Sequence, residues 1–179
     1  MTTEPDYHGP ADSVIRRATL ADVVLLAPIE EAGDAQFVAA GHAEFANAAT
    51  ISDDAAVRAI IAGWLLVATS KGRLVGWVQL EREGVELVIR QICVHPSMQR
   101  CGLGSALVEA AATSAGKAAE PSLVLDTQDD ISWNRPWYER RGFVVVPEAE
   151  WTPSMRAITA EQTAAGFDWG TRVHMRRVL

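Results

Sequence analysis

Residues able to hold an anion on the main chain run from Val94 to Ala110, in VHPSMQRCGLGSALVEA. An apolar run ends at His95-Pro96. A polar turn with Gly102 and Gly104 follows, and a helix of small residues starts at once. Leu103, Ala106, Leu107, Ala110 and Ala111 recur at the spacing of one helix face, so the glycine turn is also the first turn of that helix. Amide groups at a helix start lack partners inside the helix and carry partial positive charge. Glycine removes the Cβ atoms that would hold a ligand off the backbone. Phosphate is the natural guest of such a turn, with a plain tight turn as the alternative reading.

Two familiar phosphate patterns fit poorly. A Walker A loop requires Gly-x-x-x-x-Gly-Lys-Ser/Thr, which is absent from the sequence. A dinucleotide fingerprint could use Gly102 and Gly104 with Asp126 downstream, but Leu107 stands where its third glycine belongs. Cys93 and Cys101 are the only cysteines. They form no CxxC and have no histidine at metal spacing, so neither a disulfide framework nor a metal site is expected.

The charge balance, 16 basic against 23 acidic residues for a net −7, argues against non-specific nucleic-acid binding. No apolar run is long enough to span a membrane, and MTTEPDYHGPAD lacks the apolar core of a signal peptide. The expectation is a flexible leader over 1–13, a single domain over 14–179, and a cytoplasmic setting.

The elements that must position these residues follow from periodicity and punctuation. VIRRAT reads as a strand, and LADVVLLAPIEEAGDAQF as a helix with Thr19 as N-cap. HAEFANAA reads as a further helical stretch, and SDDAAVRAIIAG as a helix capped by Ser52. WLLVATSKGRLVGWVQLE folds back at Ser70–Arg73, and a turn near Glu83-Gly84 leads into VELVIRQICV. In that strand the apolar positions are odd up to Ile89 and even from Ile92. Either a bulge at Arg90–Gln91 or burial of both faces explains the slip. Beyond the glycine-turn helix come strand SLVLDT, short helix WNRPWYERRG, strand FVVVP, a helix from Pro153 closed by Gly166, and strand RVHMRRVL. This order implies an α/β fold (mixed α+β) with a mostly antiparallel sheet flanked by helices.

QRCGLG (Gln99–Gly104) resembles the Gln/Arg-x-x-Gly-x-Gly/Ala pyrophosphate loop of the GCN5-related N-acetyltransferase (GNAT) superfamily, and ICVHP resembles its lead-in. WNRPWYERRGF (133–143) resembles its second signature, an Asn followed by Tyr-x-x-x-Gly-Phe, with fewer positions between Asn134 and Tyr138 than is common. The resemblance implies a GNAT-like mixed, twisted sheet and transfer of acetyl from acetyl-CoA to an amine by direct attack. The alternative it leaves is a non-catalytic CoA-binding protein of the same fold. It implies that Gln99, Arg100, Cys101, Gly102, Leu103, Gly104 and Ser105 form the pyrophosphate loop. It further implies that Ile92, Cys93 and Val94 pair with the pantetheine arm, that Asn134 touches that arm, and that Tyr138 protonates the departing thiolate. A phenol of ordinary pKa about 10 suits that last task. Relatives place a glutamate base on the strand before ICV, where this chain has Arg90 and Gln91. His42, Glu44 and Glu86 are then the acceptor-side candidates, with Asp126, Asp129 and Asp130 beyond them. The implied partners are a small-molecule amine or a protein amino group, and a second copy of the chain, since the family often dimerises. Neither metal, nucleic acid nor membrane is implied.

Overall fold

The computed structural model describes residues 7–10 and 12–179. Most of the expected leader, 1–6 and Ala11, lies outside them. The described chain forms two compact units. One comprises the residues up to Glu81 together with Arg90–Ser114, and the other comprises Arg82–Ile89 with Ala115–Leu179.

In the first unit, strands β1 (Tyr7–His8), β2 (Ser13–Arg17), β3 (Leu65–Ser70), β4 (Arg73–Glu83) and β5 (Glu86–Val94) are neighbours in that order, β4 and β5 continuing into the second unit. The short β1, pairing Tyr7 with Ile15, was not anticipated from sequence. Strand β2 runs antiparallel to β3 from Ser13↔Ser70 to Arg17↔Leu66. Lys71 and Gly72 both adopt left-handed backbone, φ 49° and 75°, which is the two-residue turn whose twist suits a hairpin. The β3–β4 register shifts between Ala68↔Gly76 and Thr69↔Leu74, leaving Val75 as the extra residue of a bulge.

Between β2 and β3 lie α1 (Val23–Ala39) and α2 (Asp53–Ala62). A 3-10 turn, Leu20–Asp22, starts the first helix, and Thr19 caps it. Ser52 caps α2 by accepting from the Ala55 amide, and Gly63 ends it at φ 76°. HAEFANAA yields only a 3-10 turn, Ala43–Asn47. Leu26, Ile29, Ala56, Leu65, Val67, Trp77 and Cys93 make the core of this unit. The indole N–H of the fully buried Trp77 donates to the Leu26 carbonyl at 3.1 Å.

In the second unit the order is β5, β6 (Ser122–Gln128), β8 (Arg172–Val178), β7 (Val144–Val145). Strands β5 and β6 are parallel at Val88↔Val124, while β6–β8 and β7–β8 are antiparallel. The last strand therefore inserts between its predecessors instead of closing a simple hairpin. Helix α3 (Leu103–Lys117) precedes β6, α4 (Asn134–Glu139) follows it, and α5 (Pro153–Ala164) lies between β7 and β8. Val88, Val124, Val146, Met155 and Ile158 form this core, with Trp151 and Trp169 against it.

Burial along β5 differs between its two halves. Glu86, Leu87, Val88 and Ile89 are all buried, and further on Cys93 is buried while Ile92 and Val94 are half-buried. Both faces are thus buried over Glu86–Ile89, while beyond Arg90 the buried side chain is Cys93. Val85 stands outside the strand and is exposed.

Candidate active site

The end of β5 and the start of α3 belong to the first unit. After Val94 the chain turns through a 3-10 segment, Pro96–Met98, in which the Ser97 amide donates to His95 Nδ1. The His95 amide donates to the carbonyl of the bulge residue Val75 at 2.9 Å. This ties the lead-in to β4 and gives His95 a structural task. Gln99 Nε2 donates to the Val94 carbonyl at 3.3 Å, and the Cys101 thiol to the Met98 carbonyl at 2.8 Å.

Arg100 and Gly102 both take left-handed backbone, φ 57° and 89°. Such angles reverse the chain within a few residues, and glycine adopts them freely. The Gly102 carbonyl accepts from the Ala106 amide at 3.0 Å, so Gly102 caps α3. The amides of Leu103, Gly104 and Ser105 therefore precede its first internal bond. The first turn of α3 holds no acidic side chain, so no fixed carboxylate competes for that positive end. A helix start of this kind is suited to an anion.

Strand β5 is set against two glycines and a carboxylate. A β-carbon on Gly76 would stand 2.8 Å from the Cys93 carbonyl oxygen, and one on Gly33 of α1 would stand 3.9 Å from that of Val94. Gln91 Nε2 donates to Glu30 Oε1 at 2.7 Å, and the Ile51 amide donates to Glu30 Oε2 at 2.8 Å. Burial pushes the Glu30 carboxyl above its ordinary value despite these two donors. Asp34, one turn further on, is raised to about 6 by burial and then by the charge of Glu30. Burial, then Glu30 and Asp34, push the Cys93 thiol well up. Burial thus favours the Cys93 thiol over the thiolate that a nucleophile needs.

None of Glu30, Gly33, Asp34 or Gly76 was singled out from sequence, and Gln91 was noted only at the parity slip and as a non-base in the position where relatives place a glutamate. Glu30 and Asp34 stand four apart on a helix, but nothing in APIEEAGDAQF marks which of its acids turns inward.

His42 and Glu44, also in the first unit, pair with each other, Nδ1 to Oε1 2.9 Å. His42 is buried, and its ring meets Phe45 edge-on.

In the second unit, Tyr138 is buried on α4, edge-on to Trp137 (4.8 Å between ring centroids) and to Phe143 (5.9 Å). Asn134 opens the same helix, buried, with its side-chain amide on Gln128 Oε1 at 3.3 Å. The Arg141 guanidinium lies 3.6 Å over the Trp137 ring, while Trp133 is exposed. The Glu86 carboxylate is engaged by Arg176 at 2.9 Å. Asp126 is held by Arg172 and Gln162, and Asp129 by Arg135.

Among the described residues no three His, Cys, Asp or Glu side chains group as a metal site, and no helix is long and apolar enough to cross a membrane.

Residues 62–145 match the family model of the acetyltransferase (GNAT) domain. Solved structures with the same fold include the PaiA N-acetyltransferase of Thermoplasma acidophilum in complex with coenzyme A. The two are 15% identical, with TM-score 0.68, over 93% of this chain and 99% of that one. The N-acetylglutamate synthase of Neisseria gonorrhoeae, complexed with coenzyme A and N-acetyl-glutamate, is 19% identical, with TM-score 0.69, over 93% of this chain and 35% of that one. The ribosomal-protein-S18-alanine N-acetyltransferase of Escherichia coli is 17% identical, with TM-score 0.62, over 93% of each. The glycine turn opening α3 and the Asn134–Phe143 signature both lie inside the stretch that matches the GNAT domain model, and the mixed, mostly antiparallel sheet is shared with these structures, which together support the GCN5-related N-acetyltransferase superfamily.

Proposed function

We propose that the protein transfers an acetyl group from acetyl-CoA to an amine by direct attack. The observation that carries this reading is the capped start of α3, where left-handed Arg100 and Gly102 leave the amides of 103–105 ahead of a helix with no acid in its first turn. When bound, acetyl-CoA supplies an activated acyl thioester.

Arg100, Gly102, Gly104 and Ser105 hold the diphosphate through their main chain, with Gln99, Cys101 and Leu103 shaping the turn. Ile92, Cys93 and Val94 offer main-chain groups to the pantetheine arm, and an N–H among them polarises the thioester carbonyl. Asn134 contacts the arm. Tyr138 donates a proton to the leaving sulfur and recovers it from solvent. Among the relatives, one is named for a ribosomal protein and one for glutamate, so the acceptor class is a small-molecule amine or a protein amino group. His42 and Glu44 are its candidate contacts. Glu86, already engaged by Arg176, serves better as a support than as a base.

The test is the melting temperature with and without acetyl-CoA, with NAD as control. Ligand at about 100 times its dissociation constant adds roughly 2.7 kcal/mol. A shift with acetyl-CoA alone, followed by amine-dependent thiol release, supports the reading. A shift without turnover toward any amine would make this a CoA-binding protein, and a shift with NAD alone would overturn the assignment.

A further inference from the structure

Glu30 is only 5% exposed. The groups that donate to its two oxygens, the Ile51 amide and the Gln91 side chain, are both neutral. A buried carboxylate without a cation is costly, and an apolar pair in its place would do as well for stability. Acidic groups shifted by burial cluster at functional sites. The partner of Glu30, Gln91, is on β5, next to Ile92. One turn along the same helix face, Gly33 brings α1 up to the Val94 carbonyl. Asp34 follows directly, half-buried, and no hydrogen bond from a described residue reaches its carboxylate.

Resting on the acetyl-transfer reading above, we propose that Asp34 is the proton acceptor for the incoming amine, and that Glu30, through Gln91, is a positioning residue for Ile92–Val94. The nitrogen becomes acidic as its bond to the acetyl carbon forms. Its proton passes to the Asp34 carboxylate, and the electron pair of the broken C–S bond leaves with sulfur. Asp34 then returns the proton to water. A carboxyl raised to about 6 by burial and by Glu30 is charged and ready at neutral pH, yet more basic than an ordinary aspartate.

The ionisable groups on elements packed against α1 include Asp22, held by Arg16, in the preceding 3-10 turn, Cys93, Arg90 and Glu86 on β5, His42 and Glu44 in the following 3-10 turn, and Asp53, Asp54 and Arg58 on α2. Of these, Arg90 is paired with Glu81 and His42 with Glu44, and the three on α2 are exposed. Glu30 is the charge that raises Asp34.

The test measures acetyl-CoA affinity by calorimetry and thiol release from acetyl-CoA between pH 5 and 9, first with water as acceptor and then with benzylamine. The wild-type rate should rise through an inflection near 6. Asp34→Asn should bind acetyl-CoA normally, lose that inflection and slow about a hundred-fold, with Asp34→Glu recovering part of the rate. Glu30→Gln should move the inflection to lower pH, because a like charge has been removed, which a merely structural residue would not do. An Asp34→Asn protein with the wild-type rate and inflection overturns the assignment. So does a wild type that binds acetyl-CoA and releases no thiol at any pH. Failure of the wild type to bind acetyl-CoA defeats the acetyl-transfer reading itself, and this inference with it.

Discussion

A β-carbon on Gly76 would stand 2.8 Å from the carbonyl oxygen of Cys93. The bulged strand β4 thus meets the end of β5 at the one residue type that lets them come so close. The extra residue Val75 and this contact belong together, since the Val75 carbonyl receives the His95 amide directly after β5. Gly76→Ala must push β5 away or shift Leu107, whose Cδ1 would be 3.3 Å from the new atom. Overpacking of this kind costs about 1–3 kcal/mol. The variant should show a lower urea midpoint and, because the displaced strand carries Ile92–Val94, weaker acetyl-CoA binding by calorimetry. An unchanged midpoint and affinity would mean that the glycine is not needed for the approach.

Gly104→Glu should separate stability from binding. In the first turn of α3 a glutamate is a better helix former than glycine, and its charge suits the positive end of the helix. The melting temperature should hold or rise. The same carboxylate lies among the amides proposed to hold the diphosphate, so acetyl-CoA affinity should fall at least a hundred-fold. Calorimetry alongside thermal melting decides. Normal affinity in a folded variant would remove the loop from the cofactor site.

Tyr138→Phe keeps the ring that packs edge-on against Trp137 and Phe143 and removes only the hydroxyl. Thiol release should slow about a hundred-fold while acetyl-CoA affinity stays near wild type. A rate that does not change would assign the proton to solvent.

What the sequence made legible was whatever depends on local spacing. Gly102 and Gly104 ahead of a 3.6-residue pattern announce the helix start, Ser52 announces a cap, and Lys71-Gly72 announces a hairpin, because each acts through its own backbone. What stayed hidden depends on chain brought from far away. Glu30 is a surface acid by type, and only packing against Gln91 and Ile51, 61 and 21 residues distant, makes it a buried one. The strand β5 misled for a related reason. Ile92 and Val94 look like core residues, but the buried side chain there is Cys93, whose main-chain carbonyl is the group that approaches Gly76. The insertion of β8 between β6 and β7 is likewise a pairing choice that no local pattern encodes.

The same dependence on position makes Asp22 a measurable anchor of the first unit. Arg16 grips its carboxylate with two bonds of 2.8 Å, and the Thr19 amide and hydroxyl add bonds of 2.7 and 2.9 Å. The Arg16 hydrogen bonds, outweighing burial, hold its carboxyl down at about 2, against an ordinary 3.8. At about 1.4 kcal/mol per pH unit, that difference is worth about 2 kcal/mol. Because the folded value is the lower one, this stability is fully present well above pH 4. It fades as the pH falls through 4 towards 2, where the folded carboxylate also takes its proton. Asp22→Asn should therefore unfold about 2 kcal/mol more easily at pH 7 in urea melts, with the gap from wild type closing steadily between pH 5 and pH 2. Added salt should trim the gap only slightly, since Asp22 is buried and poorly reached by ions. A gap that is constant across this pH range would mean that the substituted amide loses packing or cap geometry, and that the Arg16–Asp22 charge pair contributes nothing.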